Sequence, residues 1–183
     1  SLAGIKIPES MQGKAFLGDQ EAGPRKYIFA SHDRMDPSLH CIRTIRDKRY
    51  KYIKNFMPER PYIQFLPYRD QMPIMQEILK MKADGTANHV QSLWLAETKP
   101  KEELYDLEND PHEINNLTEN PDYFQIKKRL KTALEEWIDD NDDPLTLPET
   151  ELIKKLWPPN GIQPQTEKVS FEKKNQLLHL KTE

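Results

Sequence analysis

The stretch that decides the fold is EELYDLENDPHEINNL, residues 102–117. Its first part, residues 102–107, contains the strand-forming Leu104 and Tyr105 and predicts a β-strand. Asp110 and Pro111 end the extended run, because Asp suits a helix N-cap and Pro suits the first helical position. Glu113 stands where the acid of a capping box reaches back to the N-cap. These residues predict a strand that leads into a capped helical turn.

Further strands are predicted upstream of this stretch. Residues 25–31 show little alternation of apolar and polar side chains and indicate a buried strand, followed by a loop over residues 35–39. Residues 40–55 have the pattern of a β-hairpin, with Tyr50 and Tyr52 on one face and Ile53 on the other. Residues 56–73 are rich in proline and aromatic residues and predict an ordered loop. A short helix over residues 73–81 ends before Gly85.

A long amphipathic helix is predicted over residues 121–139. Asn120 suits the N-cap and Pro121 suits the first position. One apolar stripe follows the i, i+3, i+4 spacing and comprises Tyr123, Ile126, Leu130, Ala133, Leu134, Trp137 and Ile138. This stripe must pack on the nearby strands. The predicted fold class is therefore α+β: a small antiparallel sheet of about 3–4 strands packed by one long helix, with long irregular segments.

The organisation along the chain has three parts. Residues 1–24 predict an irregular connecting segment, punctuated by Gly and Pro. Residues 25–157 contain the predicted sheet and helices, the last of them a short helix over residues 149–157. Residues 158–183 predict a linker and the start of a further β module, with a strand over residues 176–182. That strand has no obvious partner, which suggests that the natural protein continues beyond Glu183.

Composition excludes several classes of protein. The 183 residues are 36% hydrophobic and 31% charged, with 15 prolines, which indicates a modest core with irregular segments. The net charge of −3 gives no reason to expect nucleic acid or another polyanion as a general partner. No apolar run is long enough to span a membrane, and the N-terminus lacks the pattern of a signal peptide. The single cysteine, Cys41, excludes an internal disulfide.

Few residues are candidates for chemistry. Cys41 lies in a predicted strand without a catalytic neighbourhood and is expected in the core. The five histidines show no zinc-type spacing, so we predict no metal site and no catalytic residue in this chain. Ser31-His32-Asp33-Arg34 follows a strand, where polar residues either cap the strand or line a cleft. The hairpin carries a basic cluster with two interpretations, a solvated surface or a sulfated-sugar contact: Arg43, Arg46, Lys48, Arg49, Lys51 and Lys54.

The order of residues 102–117 resembles the ELYDL-x-x-DP-x-E-x-x-NL signature of the C-terminal subdomain of sulfatases, members of the alkaline-phosphatase-like superfamily. Leu2-Ala3-Gly4-Ile5 with Pro8 and Gly13 resembles the segment that follows the catalytic half of that family. Residues 32–36, 42–53 and 61–62, together with the long insertion before Glu103, resemble the heparan N-sulfatase (N-sulfoglucosamine sulfohydrolase) branch. The resemblance covers residues 1–157. Residues 151–183 resemble the linker that leads to an appended β-sandwich in some bacterial sulfatases.

This resemblance implies a hydrolase of sulfate esters or N-sulfates on glycans, located outside the cytoplasm. It implies formylglycine and calcium in an N-terminal α/β domain, since this chain has neither the Cys/Ser-x-Pro-x-Arg motif nor the metal-binding aspartates. The chain alone is then expected to be inactive and to shape the substrate cleft from the C-terminal side. His32, Asp33 and Arg34 are the residues expected at the cleft rim, in contact with sugar or sulfate.

Two alternatives remain from the residues alone. The chain could be a non-catalytic module that binds sulfated glycans through the basic hairpin, or a purely structural module without a ligand. If the apolar helix stripe packs on a surface absent from this chain, the exposed stripe would favour a dimer of the isolated fragment.

Overall fold

The computed structural model describes residues 1–144, 147–157, 160–163, 169–174 and 177–182. The chain divides into two compact units, residues 1–142 and residues 143–183. No helix of the described residues is both long and apolar enough to cross a bilayer. The three-part division predicted from the sequence stays a prediction, since compactness alone does not test it.

The first unit is built on a four-stranded antiparallel sheet in the order β1-β2-β3-β4. The strands are β1 (Ile28–Met35), β2 (Ser38–Arg46), β3 (Tyr50–Asn55) and β4 (Glu102–Asp106). The predicted hairpin is confirmed as β2 and β3, with Ile45 opposite Tyr52. Tyr52 then stands opposite Leu104 of β4, so the deciding stretch forms the last strand of the sheet.

The predicted long helix is confirmed and covers one face of the sheet. It begins with a 3₁₀ turn (Pro121–Tyr123) and continues as α4 (Phe124–Asp140). The Asn120 side chain accepts a hydrogen bond from the Asp122 N–H at 3.0 Å, which caps the first turn. Leu130 and Leu134 are fully buried against a sheet core of Ile45, Tyr52 and Leu104. The predicted α+β class is therefore correct.

Because the sheet of the same chain covers the apolar stripe of α4, the stripe does not supply the exposed patch on which the dimer prediction depended.

Charged side chains also hold α4 on the sheet. Glu102 of β4 accepts a hydrogen bond from Lys131 at 2.6 Å and forms an ion pair with Lys127 at 3.2 Å. The helix also contacts the edge strand, since the Phe29 ring of β1 and the Trp137 ring of α4 stack with centroids 4.9 Å apart.

Three short helices fill the insertion between β3 and β4: α1 (Pro67–Asp70), α2 (Pro73–Asp84) and α3 (His89–Leu95). The prediction of α2 is confirmed, and Gly85 ends it with a left-handed φ of 68°. The sequence interpretation missed α3. A capping box explains it, since Asn88 accepts from the Gln91 N–H and the Gln91 side chain accepts from the Asn88 N–H.

Several local predictions were wrong. The strand predicted as buried over residues 25–31 begins at Ile28 and is the exposed edge of the sheet, where Ile28 is 59% exposed. The predicted loop over residues 35–39 is a tight turn, since Met35 pairs with Ser38. A short segment with little alternation has the same appearance at an edge and at the centre of a sheet, so periodicity could not separate the two.

The capped helical turn after β4 is also wrong. Asp110 does accept hydrogen bonds, at 2.8 Å from the Ile114 N–H and at 2.7 Å from the Asn115 N–H. No helix follows, because Glu113 adopts a left-handed φ of 56° and its carboxylate pairs with Lys51 instead of the N-cap. Glu113 therefore stabilises a loop on the sheet and not a helix.

In the second unit, the predicted short helix is confirmed as α5 (Glu149–Leu156). The predicted C-terminal strand is β6 (Leu177–Thr182), and it does have a partner, the antiparallel strand β5 (Val169–Lys174). The expectation of an unpartnered strand was therefore wrong. Most of the predicted linker, residues 164–168, lies outside the described residues.

Candidate functional site

His32, Asp33 and Arg34 lie in the middle of the edge strand β1, next to a β-bulge. His32 stands opposite Ile42 and Arg34 stands opposite Leu39, so β2 has one residue more than β1 between these pairs. The extra residue is accommodated at His40 and Cys41, and Cys41 has a left-handed φ of 48°. A bulge re-aims side chains locally and is common beside functional sites. Cys41 itself is buried, as predicted for a core cysteine.

Asp33 is held by a buried cation. Arg43 of β2 is 1% exposed, and its Nη1 donates to the Asp33 carboxylate at 2.6 Å and to the Ile42 carbonyl at 2.9 Å. A guanidinium fixed in this way holds the carboxylate in one orientation. The sequence interpretation had placed Arg43 in a basic surface cluster, and the structure instead places it beneath the predicted site.

His32 is positioned by a second histidine. The His32 and His40 rings stack with centroids 4.4 Å apart, and His40 is 5% exposed. The Ser38 hydroxyl lies 2.9 Å from His40 Nε2, and Lys99 Nζ lies 3.4 Å from His40 Nδ1. Burial and, to a smaller extent, the nearby charge of Lys99 lower the pKa of His40 from 6.5 to about 4. His40 is therefore a neutral support for His32 at neutral pH.

The structure connects these residues to others that sequence reasoning missed. Gln64 exchanges two hydrogen bonds with the Leu39 backbone, at 3.1 and 2.6 Å, and so pins the bulged part of β2. Lys99 reaches His40 from 59 positions away in the sequence. Contacts between residues so far apart in the sequence leave no local pattern. Gln64 and Lys99 both belong to the insertion between β3 and β4, which is the one sequence feature that could have indicated them. Arg34 is exposed on the strand edge.

Glu103, in the deciding stretch, is a buried hub on the sheet face opposite α4. It is 4% exposed and accepts hydrogen bonds from Asn55 at 2.6 Å, from Tyr105 at 2.6 Å and from the Tyr62 hydroxyl. Burial raises the pKa of both tyrosines, and the Glu103 carboxylate raises it further. Both phenols therefore remain donors over the whole neutral range.

A cavity of about 830 Å³ opens beside this hub, between α3 and the β3–β4 face of the sheet. Its wall includes Tyr62, Trp94, Lys99, Glu103 and His112. Trp94 is 47% exposed, whereas Lys99 is 4% exposed. The cavity thus combines an accessible aromatic surface with a buried ammonium, and Lys99 links it to the His40–His32 stack.

The basic hairpin is largely neutralised within the chain. Four of its six cations form ion pairs: Arg43 with Asp33, Arg49 with Asp106, Lys51 with Glu113, and Lys54 with Glu135. Arg49 is bidentate to Asp106, at 2.9 and 2.6 Å, which lowers the pKa of that carboxyl to about 2. This pairing favours the solvated-surface interpretation over a polyanion contact.

The residues present do not fit the cofactors of a sulfatase. Among the described residues, no group of three or more His, Cys, Asp or Glu side chains could hold a metal ion. Cys41 is buried and is followed by Ile42-Arg43-Thr44, which differs from the Cys-x-Pro-x-Arg setting of formylglycine.

The chain is similar in sequence to several known proteins. No family model matches the chain. The chain is 43% identical, over its whole length, to an ulvan-active sulfatase from Formosa agariphila, and covers 31% of that protein. A human N-sulphoglucosamine sulphohydrolase is 24% identical over 81% of the chain, which covers 30% of it.

The chain also has a remote likeness to the solved structure of a 2-O GAG sulfatase, with 22% identity and a TM-score of 0.48 over 78% of the chain and 23% of that structure. The relatives that match in sequence are sulfatases, and the chain corresponds to their C-terminal part. It spans less than a third of the length of these relatives. The resemblance to sulfatases, including N-sulfoglucosamine sulfohydrolase, is confirmed.

Proposed function

We propose that this chain is the C-terminal portion of a sulfatase that hydrolyses sulfate esters or N-sulfates on glycans. In this proposal the chain shapes the substrate cleft and does not contain the catalytic centre. The observation that carries the proposal is the 43% identity to an ulvan-active sulfatase across the whole chain. The names of the relatives support a sulfated glycan as the substrate class.

The cleft-rim role is assigned to His32, Asp33 and Arg34. Two contacts with buried residues support this assignment. His40 stacks on His32, and Arg43 pairs with Asp33. Side chains held by buried partners have little freedom to lose on binding, which suits a substrate contact. Arg34 supplies an exposed guanidinium, whose planar fork matches the oxygens of a sulfate group.

The partner in this proposal is an N-terminal α/β domain of the same polypeptide, which would supply formylglycine and calcium. The 183-residue chain alone would then release no sulfate. The substrate class also suggests a protein that works outside the cytoplasm, where sulfated polysaccharides occur. The alternative is a structural module without ligand affinity, which predicts that no substitution on β1 affects a sulfated substrate.

The test uses the polypeptide that contains this chain and measures sulfate release from a sulfated polysaccharide. The variant with His32, Asp33 and Arg34 all changed to Ala should lose at least about tenfold in kcat/KM, equivalent to about 1.4 kcal/mol of transition-state binding. Met35→Ala is the matched control, because Met35 is 60% exposed at the end of the same strand. Wild-type kcat/KM in the triple variant would refute the rim assignment, and an absence of sulfate release by the wild type would refute the proposed function.

A further inference from the structure

Lys99 is a buried cation, and no carboxylate of the described residues forms an ion pair with it. It is 4% exposed, its Nζ lies 3.4 Å from His40 Nδ1, and it stands 5.7 Å above the centre of the Tyr62 ring. No ion pair joins Lys99 to any carboxylate in the described part of the chain, although Glu59 and Glu103 act on it from a distance. Burying an ammonium without a counter-ion is costly, so a folded protein rarely keeps one without a use.

A backbone hydrogen bond fixes the position of Lys99. Its N–H donates to the Pro58 carbonyl at 2.7 Å, and Pro100 follows it directly. Because the Lys99 ammonium can only donate, His40 Nδ1 is the acceptor in this contact, and Nε2 donates to the Ser38 hydroxyl. These contacts hold the ammonium at the wall of the 830 Å³ cavity.

The other charges in the cavity wall are already satisfied. Glu113 receives Lys51 Nζ at 2.9 and 2.7 Å on its two oxygens. Glu103 receives three hydrogen bonds, from Asn55, Tyr62 and Tyr105. Within the described residues, Lys99 is therefore the wall charge that still has an ionic partner to gain, and the partner must be an anion.

The rest of the wall indicates what carries the anion. Trp94 is 47% exposed and lines the cavity, whose size suits small-molecule ligands. The C–H face of a sugar ring packs well on an indole, and the imidazoles of His89 and His112 add hydrogen-bonding groups to the wall. A purely apolar ligand would leave these polar groups without partners.

We propose that the cavity between α3 and the β3–β4 face binds one anionic sugar unit, with its sulfate or carboxylate on Lys99 and its ring on Trp94. The choice of a saccharide rests on the proposed function. The site itself rests on Lys99 and the cavity. Through His40, the bound anion would also touch the support of His32, so the cavity and the β1 edge would contact neighbouring units of one glycan.

The experiment titrates the 183-residue chain with glucose 6-sulfate, glucuronic acid, glucose and benzoate, and follows the Trp94 indole N–H by NMR. The sulfate and carboxylate sugars distinguish the two anionic groups, and saturable binding of either one, with weaker binding of glucose, supports the proposal. Benzoate binding more tightly than both sugars, or the absence of saturable binding by either sugar, would overturn it.

Lys99→Met keeps the aliphatic stem and removes the charge. It should weaken binding of the anionic sugar at least about tenfold, the size expected for one charged hydrogen bond, and should raise Tm in the absence of sugar, because the buried charge is gone. Lys101→Met is the control, since Lys101 is exposed two positions away. A lower Tm with unchanged affinity would make Lys99 a structural residue and overturn the site.

The outcomes separate this inference from the proposed function. Sugar binding that depends on Lys99, in a polypeptide that releases no sulfate, would keep the site and refute the sulfatase proposal. Sulfate release without Lys99-dependent binding would do the reverse.

Discussion

Replacing Glu102 by Gln should loosen the attachment of α4 to the sheet. The Glu102 carboxylate accepts hydrogen bonds from Tyr52 at 2.7 Å and from Lys131 at 2.6 Å, and it pairs with Lys127 at 3.2 Å. Gln keeps the shape of the side chain and removes the charge. The two lysines of α4 then lose their common partner on β4.

The size of this loss in stability can be worked from the pKa of the Glu102 carboxyl. The hydrogen bonds from Lys131, Tyr52 and Lys127 outweigh burial and lower the pKa of Glu102 from 4.5 to about 2. That difference corresponds to roughly 3 kcal/mol. The side chain is 22% exposed, so screening by solvent reduces the contribution to about 1–2 kcal/mol.

The sign with pH is fixed by the same shift. The folded state holds the proton of Glu102 less tightly than the unfolded chain, so the stabilisation is complete above pH 4.5 and is lost as the pH falls toward 2. Glu102→Gln should therefore lower the free energy of unfolding at pH 7 and have little effect near pH 2.

The assay is urea unfolding of the wild type and of Glu102→Gln at several pH values. Glu108→Gln is the control, because the Glu108 side chain is 66% exposed and lies 3.4 Å from Arg49, so its effect should stay within about 0.5 kcal/mol. Equal stability of wild type and Glu102→Gln at pH 7 would refute the reasoning, as would a difference that persists at pH 2.

Three further predictions concern the core, the bulge and the helix start. Leu130→Ala should cost about 2–5 kcal/mol in urea unfolding, because Leu130 is fully buried, whereas Ile74→Ala, at a 71% exposed position, should cost less than about 0.5 kcal/mol. The His40 ring should titrate by NMR with a midpoint near 4. Since its folded pKa lies below 6.5, the free energy of unfolding should fall as the pH is lowered from 6.5 toward 4; a midpoint above 6 would contradict the buried position of His40. Asn120→Ala should cost about 1 kcal/mol in the same unfolding assay, because the Asp122 N–H loses its acceptor, and an unchanged stability would mean that the cap contributes nothing.

The sequence predicted those parts of the fold in which local pattern and tertiary packing agree. The hairpin, β4 and α4 each have the periodicity of their final environment, since one face of each element is buried in a single core. The edge position of β1 and the loop after β4 were missed because both depend on partners elsewhere in the chain. Lys51, for example, draws Glu113 away from the N-cap that its spacing predicts.

The candidate site was predictable only in part. Polarity marked His32-Asp33-Arg34 as candidates but placed them after a strand, whereas they lie within β1, and it gave no sign of the residues that support them. Arg43 resembled one more surface cation, but it is buried and pairs with Asp33 across the sheet, which neither composition nor spacing indicates. Lys99 comes from an irregular connection, and its contact with His40 exists only once the insertion has folded over the sheet.

The central claim, that this chain is one part of a larger sulfatase, is tested most directly by mass spectrometry of the native polypeptide that carries it. Because the chain covers 31% of its ulvan-active relative, we expect a native polypeptide about three times as long as this chain. A Cys/Ser-x-Pro-x-Arg motif should lie upstream of Ser1, with its Cys or Ser converted to formylglycine. A native polypeptide that begins near Ser1, or one whose upstream sequence lacks this motif, would contradict the claim.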